Sequence, residues 1–442
     1  MGAEVRSGEW HLVLLFFANL FLLLAAYYIL KVIREPLILL EGGAIERSYA
    51  RGLQAVLLLL LIPAYGLLAN RFEPAKLVKW IMGVFVLCVA AFVVLGRAGV
   101  HVGFAFFVWL GIFSTVAIAQ FWSLANDLMT EAEGKRLFPM VAAGGTLGGI
   151  FGAQIAARML QGNPHQLMMV AAAMLISCAL LTHMTYGAAT AQHARRTDVA
   201  APPARDRRGG FSLVVSDRYL LLIACSVLLL NFVNTTGDFL LAQLVNAKAH
   251  TLPHAQQQGY IAGFYGNFQT FISALTAGVQ ILVVARAFKA IGIGSSLLFL
   301  PVFALAGYAT SALVPLLGLV ATVKVIENST DYSLQNTVQQ ALFLPTSRDA
   351  KYKAKAAIDT LFVRLGDLGS TGVVFVGALL GFSVGQYAVV NVVMTALWVL
   401  VAFRLRKSVL RAAPELAGGA KSARAADGQP TVGKVETAPS AR

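Results

Sequence analysis

The sequence predicts an all-α membrane protein, with twelve transmembrane helices in two six-helix bundles. Three observations carry this. Of 442 residues, 58% are hydrophobic and only 13% charged, where soluble domains run nearer a quarter charged. Mean hydropathy is +0.72, which favours lipid over water for much of the chain and excludes both a disordered chain and an ordinary cytosolic enzyme. Apolar runs of about 20 residues, the length needed to cross a bilayer as a helix, recur along the whole sequence.

Taken in order, the spans fall at 12–33, 52–69, 77–96, 103–126, 139–160, 166–186, 219–246, 260–285, 291–312, 313–336, 357–382 and 385–406. The first is too long, and too polar at Asn19, Tyr27, Tyr28 and Lys31, for a cleaved signal peptide. Spans nine and ten are separated only by Pro315. Placing both termini on the cytoplasmic side puts 26 Lys and Arg inside against six outside, the bias that sets orientation. This topology implies a multi-pass membrane protein. The net charge of +14 belongs to these loops and implies no nucleic-acid partner.

The chain divides into an N-terminal bundle (1–186), a basic cytoplasmic linker (187–217), a C-terminal bundle (218–406) and a basic tail (407–442) read as disordered. The bundles look like a diverged duplication. Span four ends in Phe121-Trp122-Ser123-Leu124-Ala125-Asn126-Asp127 and span ten in Asp331-Tyr332-Ser333-Leu334-Gln335-Asn336. Glycines four apart follow each: Gly144, Gly148 and Gly152, then Gly377, Gly381 and Gly385, a spacing that lets helices approach closely. Parallel six-helix repeats around a shared cavity are a secondary-transporter architecture. The turn Gly66-Leu67-Leu68-Ala69-Asn70-Arg71 is similar to the Gly-x-x-x-Asp-Arg turn of the major facilitator fold, in which spans one, four, seven and ten line the cavity.

Charge inside a bilayer is costly, so ionisable residues within spans are expected to face a cavity or one another. Span one ends in Lys31, Arg34 and Glu35; span seven carries Asp238; span ten carries Lys324, Glu327 and Asp331; span eleven carries Arg364 and Asp367. The fork of Arg34 suits phosphate or carboxylate, or a local pair with Glu35 or Glu46. Lys324 with Glu327, and Arg364 with Asp367, have the three-residue spacing of intrahelical pairs. Asp238 has no basic neighbour on its own helix and needs either a partner from elsewhere or a proton, which makes it the candidate for proton coupling. Phe121 and Trp122, beside Asn126 and Asp127, offer rings for stacking, or pack as interface aromatics. Three scattered cysteines and seven scattered histidines fit neither a disulfide framework nor a metal site, and no phosphate-binding loop or hydrolase signature is present, so neither an enzyme nor a cofactor is expected.

Four segments resemble the ATP/ADP translocase family of nucleotide exchangers: Ile29 to Leu37; Phe121-Trp122 with Ala125-Asn126 and Lys135-Arg136; Tyr332-Ser333-Leu334; and Lys351 to Asp359. The last run, Lys-x-Lys-x-Lys-Ala-Ala-Ile-Asp, is long and unusual. The resemblance implies exchange of ATP- and ADP-like nucleotides by alternating access. It implies phosphate binding at Lys31 and Arg34, gating or polar roles for Asp127 and Asp331, and ring contact at Phe121 or Trp122. Gln339-Gln340 and Asp367 depart from positions where the family carries Lys-Glu and Lys. This removes basic groups and argues for a less charged substrate or a shifted site, with Arg34, Lys324 and Arg364 as the remaining cations. Two rival readings are a proton-coupled carrier of another anionic solute, and a membrane scaffold or sensor that transports nothing.

Overall fold

The computed structural model describes residues 10–69, 74–129, 131–159, 164–193, 210–346 and 353–412. Six long helices come first: α1 (Trp10–Glu41), α2 (Gly43–Ala69), α3 (Pro74–Arg97), α4 (Gly103–Leu128), α5 (Glu131–Met159) and α6 (Pro164–His193). A short α7 (Gly210–Ser216) leads into α8 (Arg218–His250), whose first turn is capped by Asp217 accepting from the backbone of Tyr219 at 2.7 Å. Then follow α9 (His254–Leu282), α10 (Val284–Ser296), α11 (Phe299–Leu313) and α12 (Leu317–Thr330). A π-helical turn (Asp331–Gln335) joins α12 to α13 (Asn336–Leu342). After the one-turn α14 (Lys355–Ala357), a second π turn (Ile358–Phe362) opens α15 (Val363–Leu379), and α16 (Val384–Ala412) ends the described chain. The Asn70-Arg71 turn, most of the expected linker and the tail beyond Ala412 lie outside the described residues.

Among the described residues, eight helices are long and apolar enough to cross a membrane, or nine if α9 and α10, bent by 73°, form one span. All twelve expected spans fall on helical segments. Of the other three expected spans, span two is apolar and uncharged from 52 to 69, as long as a crossing needs. Span nine is broken at Gly292, whose φ of 75° only glycine adopts without strain, leaving α11 short. Span ten is interrupted by its π turn.

The expected boundary between spans one and two is wrong by a wide margin. Residues 34–51 were read as an outer loop, yet α1 continues to Glu41 and α2 begins at Gly43. The reversal is confined to Gly42 and Gly43, the latter at φ 73°. The helices persist because their ionisable groups pair with one another inside the protein, so the first charge does not end the span. Pro36 within α1 has no N–H to donate to the Val32 carbonyl, one turn earlier.

Helices α1, α3, α4, α5 and α6 share a core built on Phe16, Leu20 and Leu23 of α1, Phe106 and Phe113 of α4 and Val141 of α5. Here α1 lies against α5 along the predicted glycine row: a Cβ at Gly148 would stand 2.2 Å from the Phe21 carbonyl oxygen, and one at Gly152 2.2 Å from that of Ala25. The C-terminal glycines do not repeat this seam. Gly377 faces the Tyr387 ring, Gly381 sits in the α15–α16 turn and a Cβ at Gly385 would meet almost open space. A second core joins the two parts of the chain, packing Ile38, Ala44 and Phe107 with Phe239, Tyr308 and Trp398. Gln154 of α5 donates to Thr270 of α9 at 2.9 Å, and Thr371 of α15 to the Ser48 carbonyl of α2 at 3.2 Å, so this junction lies toward the α1–α2 turn.

A buried ion network around a central cavity

At that junction, α1, α2, α8, α9 and the α12 π turn enclose a cavity of about 70 Å³. Lys31, Arg34 and Glu35 of α1, Arg47 and Arg51 of α2, and Asp238 of α8 face it, together with Tyr265, Phe268, Gln269, Asn328 and Tyr332. Four cations therefore meet two carboxylates on this wall.

The cations are held in three linked groups. Glu35 accepts from Arg34 at 2.6 Å and from Arg47 at 2.7 Å, so the Arg34 pairing read from the sequence is made, and made with Glu35. The Arg34 guanidinium also lies 4.0 Å from the Phe107 ring centroid, a desolvated cation–π contact. Arg51 bridges to the other half of the chain: it reaches Asp238 at 3.3 Å and Asp367 at 4.0 Å and donates to Thr235 at 3.0 Å. Lys324, fully buried, reaches Asp238 at 3.2 Å and Glu327 at 3.1 Å, and donates to Asn234. Tyr308 donates to Glu327. Arg364 pairs with Asp367 at 3.1 Å, and Thr235 donates to the same carboxylate at 2.7 Å.

Asp238 thus takes the partner-from-elsewhere route, between Arg51 and Lys324, and this geometry gives it no need of a proton. Lys324–Glu327 and Arg364–Asp367 form the intrahelical pairs their spacing predicts. Lys31 differs from the rest. It lies over the Tyr28 and Tyr27 rings at 5.2 and 5.9 Å, and has no carboxylate partner among the described residues. Three polar groups on the cavity wall have no hydrogen-bond partner among the described residues: the Tyr265 hydroxyl, the Gln269 amide nitrogen and the Asn328 amide oxygen, all on residues more than nine-tenths buried.

The aromatic pair of span four is elsewhere. Phe121 is buried in the N-terminal core edge-to-face with Phe16, and Trp122 packs on Phe121 and Phe138. Asn126 is exposed, and the side chain of Asp127 lies outside the described residues. Span four reaches the network through Phe107 instead. Asp331 sits in the π turn beside cavity-lining Tyr332 and makes no ion pair among the described residues. Arg47 and Arg51 are the groups sequence reasoning missed, because they were assigned to a loop. Their four-residue spacing, continuous with an apolar helix, is the signal that places them on one buried face. Among the described residues, no group of three or more His, Cys, Asp and Glu side chains is placed to hold a metal ion.

Two helical bundles joined around a polar central cavity define a multi-pass membrane protein of the major-facilitator architecture. Solved structures agree at the level of fold. A bacterial homologue of the iron transporter ferroportin in its inward-facing state aligns with TM-score 0.65 at 12% identity, over 90% of this chain and 99% of that one. The peptide transporter POT in complex with sulfate aligns at 0.63 and 13%, over 92% and 96%. The nucleoside transporter NupG aligns at 0.59 and 15%, over 89% and 98%. More particularly, residues 260–409 match the TLC ATP/ADP transporter family. ADP,ATP carrier protein 1 of Chlamydia pneumoniae is 22% identical over 69% of this chain and 67% of its own length. Its counterpart in Chlamydia trachomatis is 22% identical over 70% and 65%. This chain spans about two thirds of the length of these relatives, and the relatives are carriers, not enzymes. The resemblance to the ATP/ADP translocase family read from the sequence therefore holds.

Proposed function

We propose that this protein is a secondary carrier that exchanges nucleotides across the bacterial inner membrane by alternating access, with both termini in the cytoplasm and the bundles divided at 187–217. The observation that carries the reading is the excess of cations facing the cavity. Arg34 and Arg47 are buried and Lys31 and Arg51 partly so, and two carboxylates leave part of that charge uncompensated. A phosphate group supplies the missing anion and suits guanidinium forks. The names of the relatives supply nucleotides as the phosphate-bearing class, with ATP and ADP as the reference pair. Lys31 and Arg34 contact phosphate in this reading, with Lys324 and Arg364 holding the acids around it. Exchange follows from the same excess: the loaded carrier reorients more readily than the empty one because substrate neutralises the cations.

Purified protein in liposomes preloaded with unlabelled AMP, ADP and ATP is expected to take up labelled nucleotide only while internal nucleotide is present. Arg34→Ala is expected to lower that uptake by about tenfold or more, the value of one buried charge-assisted contact. Uptake that ignores internal nucleotide, or survives Arg34→Ala unchanged, refutes the proposal. The proton-coupled alternative draws no support from Asp238, whose two cationic partners leave its carboxylate paired.

A further inference from the structure

Resting on the nucleotide reading, we infer that the site is built for a single phosphate monoester, a nucleoside monophosphate, in preference to a di- or triphosphate. The charge balance is the first argument. Lys31, Arg34, Arg47 and Arg51 face the cavity against Glu35 and Asp238, a surplus of two positive charges. The next shell adds nothing, because Lys324 is offset by Glu327 and Arg364 by Asp367. With Asp331, just outside the lining, counted as well, the surplus is one to two. A phosphate monoester, with about 1.5–2 negative charges at neutral pH, comes nearer to it than ATP, with about four. An uncompensated buried anion is disfavoured as strongly as an uncompensated cation.

The placement of polar groups is the second argument. The Tyr265 hydroxyl and the Gln269 amide nitrogen have no hydrogen-bond partner among the described residues, Lys31 on the same wall has no carboxylate, and a phosphoryl group has the acceptors to take them up. Phe268 and Tyr332 complete the wall with rings suited to a base. Asp367 is the residue that sets the limit. Paired with Arg364 at 3.1 Å and 4.0 Å from Arg51, it keeps Arg364 from adding to the surplus.

Full-length protein in detergent, titrated calorimetrically with AMP, ADP, ATP, inorganic phosphate and adenosine, tests this. AMP is expected to bind about tenfold or more tighter than ATP, and adenosine not to bind. Asp367→Asn, which keeps the Thr235 hydrogen bond and removes the charge, is expected to raise the ATP-to-AMP affinity ratio by about tenfold. Lys31→Gln, at a position with no carboxylate partner, is expected to weaken AMP binding by a similar factor whether or not Asp367→Asn folds. ATP binding more tightly than AMP in the unaltered protein overturns the inference and leaves nucleotide exchange standing. Failure of every phosphate compound to bind overturns both.

Discussion

Lys324 shows how this protein carries charge in its interior. Its ammonium is wholly buried, and its neighbours, Asp238, Glu327 and Asn234, all accept from it. Removing one member of such a buried cluster leaves the others unpaired, which costs about 3–5 kcal/mol, whereas replacing a whole pair by apolar groups is often neutral. Lys324→Met is therefore expected to lower the melting temperature in detergent sharply, and Lys324→Met with Glu327→Gln to recover part of the loss; a double variant no more stable than the single one contradicts the pairing. Lys31 belongs to the opposite class. With tyrosine rings beside it and no carboxylate, it contributes little to the fold. Lys31→Gln is expected to shift the melting temperature by no more than about 2 °C, within the range of substitutions away from such clusters, while reducing phosphate binding. Spacing alone made the pairs Lys324–Glu327 and Arg364–Asp367 legible, since both lie within one helix turn. The partners of Asp238 were not legible, because Arg51 comes from α2 and only the tertiary fold brings it within 3.3 Å.

Helix ends were the least legible feature at the next scale, and the reason is physical. Hydropathy closes a span at its first charge, so residues 34–51 read as loop, while the folded helices hold those charges against each other and continue to Gly42 and Gly43. The error moved Arg47 and Arg51 out of the bundle and hid half of the cavity. Periodicity was a better guide where the signal was the absence of side chains. Gly144, Gly148 and Gly152 lie along α1, and at Gly148 an added Cβ meets Phe21 backbone at 2.2 Å, which no rotamer change relieves. Gly148→Leu is expected to push α5 off α1 at a cost of at least about 1–3 kcal/mol, seen as a lower melting temperature and poorer recovery from the membrane. Gly372→Ala, where a Cβ meets nothing within 4 Å, is the control and is expected to be silent. Equal losses at the two positions would mean that the seam is not what orders these helices. The π turns at Asp331–Gln335 and Ile358–Phe362 had no sequence signature; each shifts the helical register by one residue, and the first turns Tyr332 into the cavity wall.

For the molecule as a whole, a carrier working by alternating access must break the contacts that join its two bundles on one side of the cavity in each cycle. Candidates here are few and specific. Gln154 of α5 donates to Thr270 of α9 at 2.9 Å, where Gly266 also meets Ala153 and Ala157 without room for a Cβ, and Thr371 of α15 reaches the Ser48 carbonyl of α2. They flank the apolar core that Ile38, Ala44 and Phe107 share with Phe239, so parting the bundles here opens apolar as well as polar contacts. Arg51 is the exception, since its contacts with Asp238, Asp367 and Thr235 cross the same boundary and are charged. Separation of the bundles leaves Arg51 without those acids, which keep Lys324 and Arg364, and in the proposed mechanism a phosphate in the adjacent cavity takes their place; substrate thereby favours the state in which the bundles part. A Gln154→Cys/Thr270→Cys protein treated with a short cleavable thiol cross-linker is expected to lose nucleotide uptake almost completely in liposomes and to regain it on cleavage, while still binding phosphate in detergent. Uptake that continues with the cross-link in place would show that this seam stays closed throughout the cycle, and that reorientation proceeds by some other movement.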